Sequence, residues 1–467
     1  MNPIKGFLVK RLLQKAVSDF ANGSMKGLKR SFSIASKVAL SARQREMMKD
    51  LRQKVQTGHP QLELIERLSK GVNPNCRDRF LVNFFIGGMK CSEVRGRLHN
   101  QNNGFHIPFL LVISPSMRCN LRCKGCYAGD YSKKDGMSFD LMNRIITEAK
   151  ELGIHFITIS GGEPFLWPHL FDILNNHLDV AFQIYTNGTF IDARVADKLA
   201  EVGNAVPAIS IEGTEEDTDR RRGKGVYQKI MNAMDNLNKK GVIFGFSATV
   251  GKYNVDDLAS EDFINKMIEK GASFGWYFMY VPVGKKPSVE AMMTPEQRDG
   301  LRKWVEYARN NKPIFIGDFW NDGPWVGGCI SAGREYLHII PNGDVEPCVF
   351  CHFAVDNIKE KSLREILASS FFKSIQKKQP FNENHLRPCI LVDNPQLLRD
   401  IVAETGAHPT HEGAEKLITT LAPKVDRYTE SYGKIADRVW KEEYLSDPVW
   451  KNRLKRWTLQ FKEGKYD

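Results

Sequence analysis

The sequence predicts an α/β fold built on a parallel sheet. Between about residues 107 and 285, apolar strand candidates alternate with helical stretches, a repeat typical of strand–helix units that share one sheet. The strand candidates are Phe109–Ile113, Phe156–Ser160, Phe182–Thr186, Ala205–Ile211, Ile243–Thr249 and Phe274–Tyr280. Helical stretches such as Asp140–Leu152 and Ala193–Val202 separate them. The chain of 467 residues is too long for one compact core, so we expect two to four domains.

The first 55 residues account for nearly all of the chain's net positive charge. They hold 13 Lys/Arg and 3 Asp/Glu, a net charge of +10 in a chain whose net charge is +12. Apolar residues recur at helical spacing from Ile4 to Phe20, which predicts a basic amphipathic helix. Such a helix favours contact with a membrane surface or a partner, so residues 1–25 are candidates for peripheral membrane contact. A helix packed on the protein's own body and a mitochondrial presequence are the alternatives.

Composition and cysteine spacing indicate the cellular compartment in which the protein works. The sequence has no stretch of 18 apolar residues and no secretory signal pattern, so we expect neither a spanning helix nor a signal peptide. The nine cysteines are odd in number and closely spaced, which argues against a disulfide framework and for a reducing compartment. We therefore expect a cytoplasmic protein, peripheral to the membrane if residues 1–25 bind it.

Cys119, Cys123 and Cys126 form a C-x3-C-x2-C run directly after the first strand. Thiolates are soft ligands that suit zinc or iron–sulfur clusters. A structural zinc site needs four closed ligands, whereas three local cysteines suit a cubane cluster with one open iron. A zinc knuckle or three free thiols are the alternatives.

This run resembles the signature of the radical S-adenosylmethionine (SAM) superfamily, in its MoaA/PqqE-like group. The resemblance implies that the open iron of a [4Fe–4S] cluster binds the methionine amino and carboxylate groups of SAM. It implies reductive cleavage of SAM to a 5′-deoxyadenosyl radical, which abstracts hydrogen from a substrate. It also implies a partial (β/α)6 TIM-like barrel, with function at the C-terminal ends of the strands, and an electron donor such as flavodoxin or ferredoxin.

Further motifs follow the later strands in order. Gly161-Gly162-Glu163-Pro164 resembles the GGEP motif that contacts the SAM amino group, and its glycines permit close backbone approach. Asn187, in Thr186-Asn187-Gly188-Thr189, resembles a turn at the SAM site, although an ordinary Asn-Gly turn is the alternative.

Ser210 and Glu212 end the fourth strand on one face and can hydrogen-bond a ribose. The run 219–225 resembles a D-x-x-R-G-x-G motif, in which Arg222 would pair with the SAM carboxylate. A solvated basic loop is the alternative.

One position departs from the family pattern. The residue before the third cysteine is usually aromatic in the family, but here it is Gly125. We therefore expect no side-chain stacking on adenine from that position, with Tyr127 covering part of the surface. The loop after the last strand, Tyr280–Lys286, is a candidate substrate-facing segment.

A second cysteine set follows the predicted barrel: Cys329, Cys348, Cys351 and Cys389. Asn342-Gly343 predicts a hairpin turn that brings Cys348 back near Cys329. The segment resembles the SPASM/twitch domain, and four cysteines suit one auxiliary [4Fe–4S] cluster. Cys351 is not demanded by the family pattern, and a zinc site built from the same four residues is the alternative.

These observations predict four regions: a basic helical region 1–105, a radical SAM core barrel 106–310, an auxiliary cluster domain 311–395 and a helical tail 396–467. The predicted function is SAM-dependent hydrogen abstraction from a peptide or a membrane-associated, lipid-like molecule, with no nucleic-acid partner. The alternative is a non-catalytic iron–sulfur scaffold for electron transfer or redox sensing.

Overall fold

The computed structural model describes residues 57–84, 87–88 and 105–463 of the chain, with side chains as far as residue 457. The basic segment 1–55 lies outside these residues, so its membrane contact stays a prediction. In the part that is described, no helix is both long enough and apolar enough to cross a bilayer.

The strands include all six that the sequence predicts, and each differs from its predicted bounds by at most a few residues. The strands are β1 Leu111–Ile113, β2 Phe156–Ile159, β3 Ala181–Thr186, β4 Ala205–Ser210, β5 Gly245–Val250, β6 Phe274–Met279, β7 Phe315–Asp318, β8 His338–Ile339, β9 Val345–Glu346, β10 Phe353–Ala354 and β11 His408–Pro409.

Nine of these strands form one sheet in the order β7-β6-β5-β4-β3-β2-β1-β8-β9. All neighbours from β7 to β8 are parallel, and only the β8–β9 hairpin is antiparallel. The sheet is therefore the parallel α/β sheet that the sequence predicts, with β7 added at one edge and the hairpin at the other. The two added edges both come from the segment predicted as the auxiliary domain, so one sheet runs through both predicted domains.

The helices of the barrel region lie between successive strands and continue into the tail. The α-helices are α1 Gln61–Gly71, α2 Pro74–Cys76, α3 Phe139–Glu151, α4 Leu170–Asn176, α5 Ala193–Val202, α6 Glu215–Arg222, α7 Val226–Lys239, α8 Val255–Leu258, α9 Glu261–Glu269, α10 Pro295–Asn311, α11 Gly323–Val326, α12 Leu363–Leu367, α13 Ser370–Lys377, α14 Pro395–Thr405, α15 Ala422–Val439 and α16 Pro448–Glu463. Short 3₁₀ turns lie at Pro164–Leu166, Val289–Ala291 and Ala414–Ile418, and π-helical turns at Arg77–Leu81 and Trp440–Tyr444.

Local sequence signals explain where the barrel helices begin and end. The Ser138 side chain accepts from the Leu141 amide at the start of α3, and Asp192 does the same for Val195 at the start of α5. Gly203 ends α5 with a φ of 68°, a left-handed conformation that favours glycine. Ile145 and Ile146 of α3 are fully buried, so the apolar face of this helix covers the sheet.

The tail is not purely helical, because β11 pairs with β10 of the cluster region. Helix α15 packs on α10, where the guanidinium of Arg298 on α10 lies 3.7 Å from the ring centre of Tyr432 on α15. Arg298 also forms a buried ion pair with Asp393, which lies just before α14. The tail therefore helps to enclose the region of the second cysteine set.

Candidate functional site

The first three cysteines lie on the loop between β1 and α3, and the Gly161-Gly162 turn after β2 supports that loop. The amides of Gly162 and Glu163 donate to the carbonyls of Ser116 and Arg118 at 3.0 and 2.8 Å. A Cβ on Gly161 would lie 2.4 Å from the Ser116 carbonyl oxygen, and one on Gly162 would lie 2.1 Å from that of Arg118. Only glycine allows this approach, so the turn fixes the cysteine loop at the end of the sheet.

Cys119, Cys123 and Cys126, the first cysteine set, are half-buried. Burial raises the pKa of Cys119, and the charges of Glu163, Cys123 and Cys126 raise it further, so the sulfurs are near enough to interact. The Leu121 amide donates to the Cys119 sulfur at 3.4 Å. The loop thus brings three soft ligands together.

Glu163 is fully buried, and its carboxylate is bound by the chain's own groups. It accepts from the Thr186 hydroxyl at 2.8 Å, from the Asn187 amide at 2.8 Å and from the Phe165 amide at 3.1 Å. Burial raises its pKa to about 7 against these hydrogen bonds. The side chain of the Gly-Gly-Glu-Pro motif therefore ties the end of β2 to the end of β3.

Glu212 and Arg222 meet directly at the end of β4. The Arg222 Nε donates to Glu212 Oε1 at 2.8 Å, and Arg221 Nη1 donates to the same oxygen at 2.5 Å. The other oxygen, Glu212 Oε2, is buried and has no hydrogen-bond partner among the described residues. Ser210, two residues earlier, is partly exposed. At the end of β4 there is thus one carboxylate oxygen, Glu212 Oε2, that accepts no hydrogen bond from the described residues.

Arg221 is a residue that the sequence analysis missed. Its carbonyl accepts from the Lys124 amide at 2.9 Å, which joins helix α6 to the cysteine loop. Burial opposes its charge, but Glu212 and the sulfurs of Cys123 and Cys126 outweigh burial and raise its pKa. The run Arg220-Arg221-Arg222 was the signal, but only the fold shows that Arg221 and Arg222 turn inward while Arg220 pairs with Asp217.

Tyr280 fills the space beside Gly125. The φ of Gly125 is 63°, and a Cβ there would lie 2.8 Å from the Tyr280 ring. The following loop packs on the cysteine loop as well, because the Lys285 amide donates to the Cys126 carbonyl at 3.1 Å. Part of the segment predicted to face the substrate therefore supports the first cysteine set.

Tyr127 is partly buried, and its side chain reaches the end of β2. Its hydroxyl is 2.8 Å from the Ser160 Oγ at the end of β2, and burial raises its pKa to about 12. Its ring lies 5.8 Å from that of Phe350, beside Cys351. Tyr127 thus lies between the two cysteine-bearing regions.

The second cysteine set, Cys329, Cys348, Cys351 and Cys389, comes together from three segments. The hairpin at Asn342-Gly343 forms as predicted, and Cys348 and Cys351 face each other in a tight turn. Burial raises the pKa of Cys348 to about 12, and the charge of Cys329 adds to this. Burial also raises the pKa of Cys351, with contributions from the other three cysteines.

Hydroxyl and amide donors surround these sulfurs. The Tyr336 hydroxyl donates to Cys348 Sγ at 2.8 Å, and the Ser331 hydroxyl lies 3.0 Å from Cys329 Sγ. The Leu391 amide donates to Cys389 Sγ at 3.4 Å. Such donors stabilise sulfur that carries negative charge, as metal-bound thiolates do.

The second set borders an apolar cavity of about 650 Å³. Cys329, Cys348 and Cys389 line it, whereas Cys351 does not. Its aromatic walls are formed by Trp276, Phe315, Phe319, Trp320, Trp325 and Tyr336. In the described part of the chain, no group of three or more His, Cys, Asp or Glu is arranged to hold a single metal ion.

A buried polar chain joins β1 to the second set. Ser114 Oγ lies 2.8 Å from His338 Nε2, and His338 Nδ1 lies 2.7 Å from a carboxylate oxygen of Glu346. The Tyr131 and Thr410 hydroxyls donate to the other Glu346 oxygen, each at 2.5 Å. The residue that begins the first cysteine loop is therefore connected to the strand that precedes Cys348.

Two family models match the chain in the order of the two cysteine sets. Residues 113–264 match the radical SAM superfamily, and residues 329–390 match the SPASM family, an iron–sulfur cluster-binding domain. Domains of the first kind bind a [4Fe–4S] cluster and SAM, and those of the second kind bind auxiliary iron–sulfur clusters.

Curated relatives match about half of the chain. Fe-coproporphyrin III synthase of Methanosarcina barkeri is 29% identical over 46% of this chain and 57% of its own length, so the chain spans little more than half of that relative. Mycofactocin maturase MftC of Mycobacterium tuberculosis is 27% identical over 57% of this chain and 72% of the relative. PqqA peptide cyclase of Ruegeria pomeroyi is 26% identical over 57% of this chain and 77% of the relative.

Among solved structures, Streptococcus suis SuiB bound to S-adenosylmethionine aligns with a TM-score of 0.52 and 18% identity, over 74% of this chain and 75% of that chain. At this identity the likeness concerns the fold. It agrees with the parallel sheet and its extensions described above. The chain thus contains a segment, residues 113–264, that matches the radical SAM superfamily, and after it a segment, residues 329–390, that matches the SPASM iron–sulfur domain.

Proposed function

We propose that this chain cleaves SAM reductively at a [4Fe–4S] cluster held by Cys119, Cys123 and Cys126, and abstracts hydrogen from a substrate carbon. The observation that carries the proposal is the first cysteine set itself: three half-buried thiols on one loop, held at the carboxyl ends of the strands. A bound cluster and SAM supply the electron and the 5′-deoxyadenosyl radical; the protein supplies position and charge.

The residues around the loop fit this role. Arg221 puts positive charge beside Cys126, which favours its thiolate form and opposes the effect of burial on its pKa. The unfilled Glu212 Oε2 is an acceptor for a ribose hydroxyl or an amino group, and Arg222 holds the opposite oxygen in place. Ser210 lies two residues before Glu212, and the backbone of Gly161 and Gly162 borders the cysteine loop.

The second cysteine set is proposed to ligate an auxiliary [4Fe–4S] cluster. Four thiols of one region influence each other's charge, and hydroxyl and amide donors point at three of the sulfurs. A cubane takes each cysteine on a different iron, so it spaces the sulfurs more widely than a single zinc ion would. We assign all four cysteines as ligands, and a flavodoxin or ferredoxin as the electron donor.

The test is anaerobic reconstitution with iron and sulfide, followed by incubation with SAM and dithionite. We expect 5′-deoxyadenosine from the wild-type protein and none from Cys126→Ala. Cys76→Ala is the matched control, because Cys76 is buried at α2, next to the carbonyls of Leu199 and Ala200 and apart from both cysteine sets. A wild-type protein that assembles its clusters but forms no 5′-deoxyadenosine would overturn the proposal in favour of an electron-transfer scaffold.

For the substrate we propose a peptide. Support comes from a relative named for a peptide, PqqA peptide cyclase, which this chain matches over 77% of the relative's length. In the same assay, short peptides encoded beside the gene should raise 5′-deoxyadenosine formation and change in mass. Iron porphyrins that precede Fe-coproporphyrin III and haem serve as the competing arm, since two relatives are named for the synthesis of these products; stimulation by such a porphyrin alone would contradict a peptide substrate.

A further inference from the structure

A closed ring of hydrogen bonds lies beside Cys119, outside the roles assigned above. Asn187 Nδ2 donates to Asn120 Oδ1 at 2.9 Å, and Asn120 Nδ2 donates to Thr189 Oγ1 at 2.9 Å. The Thr189 hydroxyl returns a bond to Asn187 Oδ1 at 2.7 Å. The second hydrogen of the Asn187 amide faces Cys119 Sγ, with the nitrogen 3.8 Å from the sulfur.

The orientation of the Asn187 amide is determined by its neighbours. The Thr189 backbone N–H donates to Asn187 Oδ1 at 2.9 Å, and a backbone N–H can only donate. The oxygen therefore faces Thr189, and the NH₂ group faces Asn120 and Cys119. A flipped amide would place two donors together at Thr189 and leave no donor for the sulfur.

The backbone of Asn187 is held as firmly as its side chain. Its amide donates to Glu163 Oε2 at 2.8 Å, and the same carboxylate accepts from the Thr186 hydroxyl. Asn187 is 6% exposed, so water competes little for its amide. The Gly-Gly-Glu-Pro motif thus positions an amide donor on the cysteine that begins the first set.

We propose that the Asn187 amide is a hydrogen-bond donor to the Cys119 thiolate that raises the reduction potential of the first cluster. Reduction adds negative charge to the cluster and its sulfurs, so a donor to sulfur stabilises the reduced state more than the oxidised state. Asn187 is then a positioning residue of the cluster rather than a ligand of SAM. The inference rests on the proposed function only in that Cys119 ligates a cluster.

The test is an EPR-monitored redox titration of the reconstituted protein without SAM or substrate. Asn187→Asp keeps the acceptor for Thr189 and loses the donor, while Asn187→Leu loses the donor without adding charge. In both variants we expect the reduced-to-oxidised ratio at a fixed potential to fall about tenfold, equal to about 59 mV for one electron. Thr189→Val is the matched control, because it opens the ring but leaves the amide donor to Cys119. Its reduced-to-oxidised ratio at the same potential should stay within about twofold of that of the wild type.

Wild-type potentials in both Asn187 variants at equal iron content would overturn the inference. So would a shift in Asn187→Asp alone, because that would reflect added charge rather than a lost donor. Should either variant bind less iron, the exchangeable deuterium coupling of the reduced wild-type cluster decides: its loss in the remaining loaded protein supports the inference and its persistence overturns it. Missing 5′-deoxyadenosine with a shifted potential would count against the proposed function and not against this donor.

Discussion

The first cysteine set lies on a single loop at the end of the sheet, whereas the second is assembled from three segments of the chain. The first set has three thiols, a pair of arginines and a carboxylate oxygen without a partner. The second has four thiols, two of them buried, with hydroxyl donors on two sulfurs. Under the function proposed above, the three thiols of the first set leave one iron of their cluster open, and the four thiols of the second set cover theirs.

The largest expected effect separates the two sets by function. Cys126→Ala should abolish SAM cleavage, whereas Cys348→Ala should retain it in the absence of substrate, because no residue of the second set touches the first loop's sulfurs among the contacts described. Each variant should lose the iron of one cluster. The measurement is iron content and 5′-deoxyadenosine by chromatography. Loss of SAM cleavage in Cys348→Ala at full first-cluster occupancy would show that the sites act as one.

The next effect compares the two buried ion pairs. Glu212→Gln leaves Arg221 and Arg222 without their shared carboxylate, and Asp393→Asn leaves Arg298 unpaired. Removing one partner of a buried pair costs about 3 kcal/mol or more of unfolding free energy. Both variants should therefore unfold at lower denaturant, but only Glu212→Gln should also weaken SAM binding in isothermal titration. Equal SAM affinity in the two variants would contradict the assignment of Glu212.

Asp393 is a suitable control for Glu212, because it is a buried carboxylate that contacts the second cysteine set. Its Oδ2 accepts from the Cys389 amide at 3.0 Å, and its partner Arg298 is fully buried. Asp393 thus contacts the Cys389 segment directly, and Glu212 reaches the first cysteine loop through Arg221. The difference in SAM binding then reports the ligand position rather than general loss of structure.

The smallest effect is the pH dependence that Glu163 of the first site contributes to stability. Burial raises the pKa of Glu163 to about 7 from 4.5, so the folded protein binds more protons than the unfolded chain between these values. The contribution of Glu163 to stability should therefore fall as pH rises through this window, by roughly 3 kcal/mol in total. The difference in unfolding free energy between wild type and Glu163→Gln, from denaturant titrations between pH 4.5 and 8, should fall by this amount, because Asp217, Asp318 and His352, whose pKa values are also shifted, contribute equally to both proteins.

The second site supplies the contrast for that experiment. Burial raises the pKa values of Cys329, Cys348, Cys351 and Cys389 above the usual thiol value of 9.0, so none of these thiols titrates in the acidic window. Tyr336→Phe, which removes the hydroxyl donor to Cys348, should leave this pH dependence unchanged. A pH dependence that disappears in Tyr336→Phe would place its origin in the second site.

Much of the framework could be predicted from residue order. All six predicted strands form, because alternating apolar strands and amphipathic helices have few other ways to bury their surface. The Asn342-Gly343 hairpin forms because that dipeptide suits a tight turn. By contrast, β7 and β8 were not predicted as parts of the barrel sheet, since strands of four and two residues carry little periodicity.

The ion-pair, hydrogen-bond and packing partners of individual side chains could not be predicted from the sequence. Arg221 and Arg222 are adjacent in the chain, and only the docking of α6 on the cysteine loop gives both of them to Glu212. Tyr280 beside Gly125 and Tyr336 on Cys348 join residues whose contact depends on how loops meet. Such contacts are set by packing between elements, which no local pattern encodes.

By itself, the sequence predicted the chemistry that we propose for this protein: three local thiols as ligands of one cluster, four more as ligands of another, and the α/β scaffold that carries them. Ligand type and spacing are local properties, so they can be recognised in the amino-acid sequence. The tertiary structure decided how each site is tuned, because burial, ion pairing and hydrogen bonds to sulfur arise only where distant segments meet. Glu163, a motif residue in the sequence, became in the fold the carboxylate that positions Asn187 at Cys119.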